Sequence, residues 1–240
     1  MASRADITER LWTTSARALA VGGDLAIQAS QKLAARQGRP TLRGERWVEW
    51  SFTLARLADG PGRTLDFGAD VGFLALAAAQ RGHDVVALDR LPSALDYTHE
   101  RVRHVQADIL DRPFRGERFD QIINCSSVEH VGLAGRYDST DAPDGDLEAM
   151  AHLRELLTND GRMILTIPVG RDGVFRPLHR IYGQERLPRL LEGFRSDEDQ
   201  YWHKTTGADG WRQTDRASAL ATEGSGSYYS LGLLVLRPLS

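Results

Sequence analysis

Apolar residues in the stretch 64–90 come in short blocks separated by polar or glycine breaks. Thr64-Leu65-Asp66-Phe67 is a brief apolar run that stops at Gly68. Beyond Gly72, the Ala/Leu-rich segment from Phe73 to Gln80 has helical composition, and Arg81-Gly82 is a C-terminal helix signal. Val85-Val86-Ala87-Leu88 is a second apolar run, ended by Asp89. Strand, glycine turn, helix and strand in succession predict one βαβ unit, the seed of a parallel sheet.

The pattern on either side extends this unit. Upstream, Asp6 is expected to cap a helix through Ile7, Leu11, Ala18 and Leu19, and Asp24 another through Leu25, Ile27 and Leu33. Residues 1–45 are therefore expected to be a helical extension that caps the site or contacts another subunit. Trp47, Trp50, Leu54 and Leu57 recur at helical spacing, which predicts a helix entering the first strand with both tryptophans in the core. Downstream, Pro92-Ser93-Ala94 reads as a helix start, and His104 to Ala107 leads as a third strand to Asp108. Phe119 to Asn124 reads as a fourth strand and Leu147 to Leu157 as a helix. Asn159 to Arg162 reads as a tight turn into a strand from Met163 to Ile167. Residues 171–195 form a longer insert with a surface helix, Glu185 to Leu191. A sixth strand begins at Tyr201-Trp202, and Leu231 to Leu236 is the last. The expected fold is α/β, a doubly wound Rossmann-like sheet of about seven mostly parallel strands with helices on both faces. It forms one domain over residues 46–240.

Composition narrows the partners. The chain has 240 residues, 26% of them charged, with a net charge of −3, so no broad basic face is available for nucleic acid or an anionic membrane. The single cysteine, Cys125, excludes an intrachain disulfide and a thiolate zinc cluster. Charges at Arg4, Asp6, Glu9 and Arg10 leave no signal-peptide core, and no apolar run approaches the ~20 residues of a membrane helix. A soluble, cytoplasmic protein is expected.

The candidate chemistry sits at the ends of the first two strands. Gly68 and Gly72 let the backbone pass close to a ligand, and Asp89 is placed to accept hydrogen bonds from both hydroxyls of a ribose. A nucleoside-bearing ligand across this sheet edge is the expectation. A dinucleotide fingerprint needs G-x-G-x-x-G, and from Gly68 the chain has Asp70 and Phe73 in place of the other two glycines.

Asp66, Gly68, Asp70 and Gly72 resemble motif I of the class I S-adenosylmethionine-dependent methyltransferases, D-x-G-x-G-x-G, with Asp70 replacing one glycine. The resemblance implies that this loop cradles the methionine half of the cofactor and that Asp89 holds its ribose. Ala107-Asp108-Ile109-Leu110 is similar to the segment in which an acid and the next backbone amide, here Asp108 and Ile109, read the adenine edge. Phe119-Asp120 and the following apolar residues resemble the fourth-strand motif, which places Asn124, Cys125 and Ser126 at the methyl-transfer site. Glu129-His130-Val131 resembles the E-H-V of many small-molecule methyltransferases. The run from Ser126 to Met150 is similar to a branch associated with glycan and natural-product sugar pathways.

Two roles stand side by side for His130. Its ordinary pKa suits a general base, and its position suits a structural tie between the fourth-strand turn and the following helix. Glu129 and His179 complete the candidate catalytic set. Arg176 and Arg180 suit a carboxylate or phosphate on the acceptor, and Tyr137 and Tyr182 are further candidate acceptor contacts. The acids between 138 and 148 do not match a calcium loop, so no metal is expected; a divalent cation would have to use Asp138, Asp144 and Asp146. The expected activity is methyl transfer to an oxygen or nitrogen of a small polar molecule, such as a sugar, amino sugar or natural-product intermediate. One alternative is a catalytically silent cofactor-binding regulatory or partner subunit. Another is a nicotinamide-dependent sugar oxidoreductase or epimerase, disfavoured by the failed fingerprint and by the lack of a Tyr-x-x-x-Lys pair. A homo-oligomer through the N-terminal helices is the one protein partner expected.

Overall fold

The apolar blocks become the centre of one eight-stranded sheet in the computed structural model. It describes residues 45–240 apart from 93, 94, 96, 136–140, 205–209 and 240. The expected N-terminal helices therefore lie outside the described residues. Helix α1 (Arg46–Arg56) leads into β1 (Gly62–Phe67), α2 (Phe73–Gln80), β2 (His83–Asp89) and β3 (Val102–Gln106). There follow β4 (Phe119–Cys125), α3 (Gly145–Leu156), β5 (Leu157–Val169) and a small hairpin of β6 (Gly173–Phe175) and β7 (His179–Ile181). The chain ends with α4 (Arg186–Leu190), β8 (Phe194–Lys204), β9 (Trp211–Thr214), α5 (Arg216–Leu220) and β10 (Ser230–Pro238).

The sheet order is β3-β2-β1-β4-β5-β10-β8-β9. The pairings from β3 through β5 are parallel. Those of β10 with β5 and β8, and of β8 with β9, are antiparallel. Chain order reverses between β1 and β4, and that switch point opens a crevice at the carboxyl ends of the strands.

Central parallel strands are covered on both faces, which is why they read as apolar blocks without alternation. Successive residues serve opposite faces. Leu65, Ile122 and Leu165 pack with Ala149, Met150 and Leu153 of α3. Ile123 and Ile164 pack with Val48 and Phe52 of α1 and with Leu74, Ala75 and Ala78 of α2.

The structure departs from the sequence reading in three places. The buried face of α1 is Val48, Glu49, Phe52 and Thr53, while Trp47 is 53% exposed and Trp50 stacks on Phe73 at 4.6 Å. The helix is rotated by about one position from the tryptophan-centred expectation, because interior hydroxyls hold the Glu49 carboxyl. The turn at Asn159 to Arg162 is absorbed into the start of β5: pairing with β4 jumps from Leu157 to Arg162, so the intervening residues bulge out. Finally, β6, β7, β9 and α5 are too short for periodicity to reveal, and β9 raises the strand count of the sheet to eight.

Candidate active site

The turn after β1 is shaped by three left-handed residues. Gly68 (φ 75°), Asp70 (φ 49°) and Gly72 (φ 72°) all have positive φ. A Cβ at Gly68 would overlap the Ser127 side chain, and one at Gly72 would overlap Leu95 and come within 2.7 Å of the Tyr97 hydroxyl. Both glycines are therefore required by space as well as by backbone angle. Asp70 adopts the conformation a glycine would take, in a region that aspartate visits more readily than most residues. Its backbone N–H donates to Asp89 Oδ2 at 2.9 Å, and that of Leu91 donates to Oδ1 at 2.9 Å. The Asp89 carboxylate is thus fixed at the end of β2, with lone pairs left over for incoming hydroxyl donors.

Behind the turn, Asp66 is 2% exposed, with no hydrogen-bond partner at Oδ2. Burial, aided by the like charge of Asp89, raises its carboxyl to about 7. After β3, Asp108 Oδ1 accepts the Leu110 N–H at 2.9 Å and Oδ2 lies 3.6 Å from Arg90 Nε, while the Ile109 side chain is buried beneath. Between β2, β3 and β4 lies a cleft of about 350 Å³ whose lining includes Asp70, Asp89, Asp108, Ile109, Ser126 and His130. That size lies within the usual range for small-molecule sites.

The far wall is the turn after β4. Asn124 is buried, and its Oδ1 accepts the Val128 N–H at 3.3 Å, so its side chain braces the turn away from the cleft. Cys125 borders the cleft beside Thr166 Oγ1 at 3.5 Å, and burial pushes its thiol well above the ordinary range. Ser126 has φ 48°, and its hydroxyl donates to Glu49 Oε1, which also accepts from Thr166 Oγ1 at 2.8 Å. Glu49 is wholly buried, its Oε2 is 3.5 Å from Arg46 Nη1, and burial raises its carboxyl. Glu129 is 2% exposed, and burial raises its carboxyl to about 8. His130 Nδ1 is 2.6 Å from the Leu178 carbonyl oxygen. A carbonyl can only accept, so Nδ1 carries a proton, and Nε2 lies 3.8 Å from Glu129 Oε1. This geometry sets a candidate base beside a buried carboxyl group.

The remaining predicted residues divide by location. His179 is buried on β7, edge-to-face with Tyr229 at 5.0 Å, outside the cleft lining. Arg176 pairs with Asp141 on the surface. Arg180 and Tyr182, read from the sequence as acceptor contacts, are 1% and 0% exposed. Arg180 donates to the carbonyls of Val131 at 2.6 Å and Ala142 at 3.1 Å, and Tyr182 donates to Asp146 Oδ2 at 3.1 Å. Both side chains are committed to packing the insert against the β4 turn, which corrects that expectation: neither can touch an acceptor in this arrangement. Asp146 also accepts from Arg186, and Asp144 pairs with Arg186 and Arg189, so these two carboxylates are already neutralised by arginines. Tyr137 and Asp138 lie outside the described residues. Among the described residues no cluster of three metal-ligating side chains occurs. Arg46, Arg90, Leu91 and Ser127 line the cleft and were missed by the sequence reading, as was Glu49, whose only signal was an acid inside an otherwise aromatic helix face, Arg46 to Phe52.

Among solved structures, the chain is similar to the 1,6-didemethyltoxoflavin-N1-methyltransferase of Burkholderia thailandensis, crystallised with 1,6-didemethyltoxoflavin and S-adenosylhomocysteine. The match has a TM-score of 0.51 at 20% identity over 94% of this chain and 90% of that one. It is also similar to the N-methyltransferase NodS of Bradyrhizobium japonicum WM9, with a TM-score of 0.54 at 17% identity over 82% of this chain and 97% of that one. A third similar structure is a TehB-like methyltransferase of Corynebacterium glutamicum, with a TM-score of 0.50 at 20% identity over 90% and 98% of the two chains. The fold is thus that of the class I S-adenosylmethionine-dependent methyltransferases. A family described as "Caenorhabditis protein of unknown function, DUF268" matches residues 94–208. No curated protein matches the chain in sequence. No helix among the described residues is long and apolar enough to cross a membrane.

Proposed function

We propose that the protein transfers a methyl group from S-adenosylmethionine to a nitrogen or oxygen of a small polar molecule, such as a sugar, amino sugar or natural-product intermediate. The observation that carries this reading is the single cleft joining Gly68, Asp89 and Asp108 to Ser126 and His130. The residues fit the cofactor: a side chain at Gly68 or Gly72 would fill the turn, and Asp89 retains acceptor capacity. Two of the similar structures, named as N-methyltransferases and solved with S-adenosylhomocysteine, support the same cofactor.

When bound, the cofactor supplies a methyl group already activated on a sulfonium. In this reading Asp89 accepts from the ribose hydroxyls, Asp108 and the Ile109 amide read the adenine edge, and the turn around Asp70 admits the methionine portion. His130 takes the proton of the acceptor, and the Leu178 carbonyl, accepting from Nδ1, orients the ring. The rest of the site orients the acceptor and excludes water. As the acceptor lone pair forms its bond to the methyl carbon, the carbon–sulfur bond breaks with its electrons on sulfur.

Calorimetric titration with S-adenosylmethionine and S-adenosylhomocysteine tests the reading. Both should bind, and Asp89→Ala should weaken them by roughly 10- to 100-fold, the worth of hydrogen bonds to a charged acceptor. His130→Ala should leave both affinities nearly unchanged. Absence of binding to the unaltered protein would overturn the reading.

A further inference from the structure

The amino-acid end of the cofactor carries a carboxylate and an ammonium, and the turn after β1 has few amides left to meet the carboxylate. The N–H groups of Gly68 and Ala69 donate to the Leu88 carbonyl at 2.9 and 3.1 Å, and that of Gly72 donates to the Ala69 carbonyl at 2.7 Å. The Asp70 N–H is spent on Asp89 Oδ2. On the opposite wall, the Ser127 hydroxyl donates to the Cys125 carbonyl at 3.1 Å and the Ser126 hydroxyl to Glu49. Donors committed within the fold offer little to an anion. A negative group in this part of the cleft therefore needs a side-chain cation, the more so because Asp70 puts a carboxylate where the methyltransferase pattern has glycine.

Two guanidinium groups line the cleft, those of Arg46 and Arg90. Arg90 lies against Asp108, beside the proposed adenine position. The Arg46 side chain is 40% exposed, and its Nη1 is 3.5 Å from Glu49 Oε2, which is longer than a hydrogen bond. Burial also disfavours the ionised form of the Glu49 carboxyl, so that contact is a weak counter-charge. One such contact leaves most of the five guanidinium donors for a ligand. Asp70 is exposed on the same lining. With Asp89 fixed by two amides and Arg90 beside Asp108, Arg46 and Asp70 are the two opposite fixed charges that this lining turns to a ligand.

We propose that Arg46 and Asp70 clamp the zwitterionic end of the cofactor, the guanidinium taking its carboxylate and the Asp70 carboxylate taking its ammonium. The inference rests on the methyltransferase reading above and deepens it by naming the side chains that recognise the amino-acid end. Charge-assisted hydrogen bonds at two points of opposite sign fix orientation as well as affinity, because turning the amino-acid end around would set like charges together. The clamp also gives the departure from the glycine pattern a function. At φ 49° the backbone of position 70 stays in a region that aspartate tolerates, so the turn keeps its shape and gains a charge.

The test needs no knowledge of the acceptor. It compares S-adenosylhomocysteine with its decarboxylated analogue, which keeps the amine, and with its deaminated analogue, which keeps the carboxylate. By titration calorimetry on the full chain, each analogue should bind the unaltered protein at least about tenfold more weakly, the equivalent of one charge-assisted contact. In Arg46→Met the penalty for losing the carboxylate should vanish, with the decarboxylated analogue within about twofold of its affinity for the unaltered protein. Arg46→Lys, which keeps the charge and loses the fork, should retain part of that penalty. In Asp70→Gly, which the left-handed backbone accepts without strain, the penalty for losing the amine should vanish instead. Parity of S-adenosylhomocysteine with either analogue on the unaltered protein would overturn the clamp and leave the methyltransferase reading standing. A penalty that persists undiminished in the matching folded variant would do the same. Because the first comparison uses the unaltered protein, it can overturn the clamp even if a variant folds poorly. If none of the three ligands binds, the cofactor reading falls and the inference with it.

Discussion

Asp66 and Glu129 are buried carboxyl groups raised to about 7 and about 8, against ordinary values of 3.8 and 4.5. In the unfolded chain both ionise near their ordinary values, so over the intervening pH range the native state binds the extra protons. By linkage their stabilising contribution is complete below pH ~4, declines as pH rises, and is gone above about 8. The empty protein should therefore lose stability across this window, each group contributing at most about 1.4 kcal/mol per pH unit. Glu129→Gln should flatten the upper part of that slope in urea unfolding measured at several pH values, and an unchanged slope would show that Glu129 titrates normally. Gly68→Ala is a second test at this scale. It combines a positive φ with overlap on Ser127, and should lower cofactor affinity and stability together, by at least about 1 kcal/mol in each. These residue-scale features were unevenly visible in the sequence. Gly68, Gly72 and Asp89 announced themselves by spacing. The protonation of Asp66 could not be read, because it depends on how completely its neighbours exclude water.

Two elements far apart in sequence, α1 and the β6–β7 hairpin, complete the site. The helix contributes Arg46 and Glu49, and Trp50 stacks on the first residue of α2. The turn of the hairpin contributes the Leu178 carbonyl that sets the His130 tautomer, and β7 contributes Arg180, whose guanidinium ties the hairpin to the loop carrying Val131 and Ala142. Removing that tie leaves the partly buried Val131 and Ala142 carbonyls without their donor, while Asp146 keeps Arg186. Arg180→Met is expected to lower unfolding free energy by about 1–3 kcal/mol, the cost of buried acceptors left without a donor, measurable as a shift in denaturant midpoint. It should also weaken any dependence of turnover on the His130 base. The βαβ unit was legible because its pattern is local. The hairpin was not, because three-residue strands lie below the length at which period-2 patterning can be seen.

At the scale of the whole molecule, the cleft draws on β1, β2, β3, β4 and the helix before them. A ligand there contacts segments far apart in sequence and should stabilise them as one unit. A hundredfold excess of S-adenosylhomocysteine over its dissociation constant should add about 2.7 kcal/mol, read as a rise in Tm. No rise at saturating ligand would contradict a preformed site.

The sequence by itself determined the elements whose signals are local: apolar blocks for strands buried on both faces, glycines where backbone angle and space forbid a side chain, and an acid at each of two strand ends. Those signals need only neighbouring residues to be read. The tertiary structure alone decided which side chains meet the buried acids. Glu49 meets Ser126 and Thr166 across 77 and 117 residues of chain, and Arg180 is turned inward by carbonyls 49 and 38 residues away. Such contacts depend on strand order and on the rotation of one helix by a single position. Both are set by packing over the whole sheet, which no local pattern records.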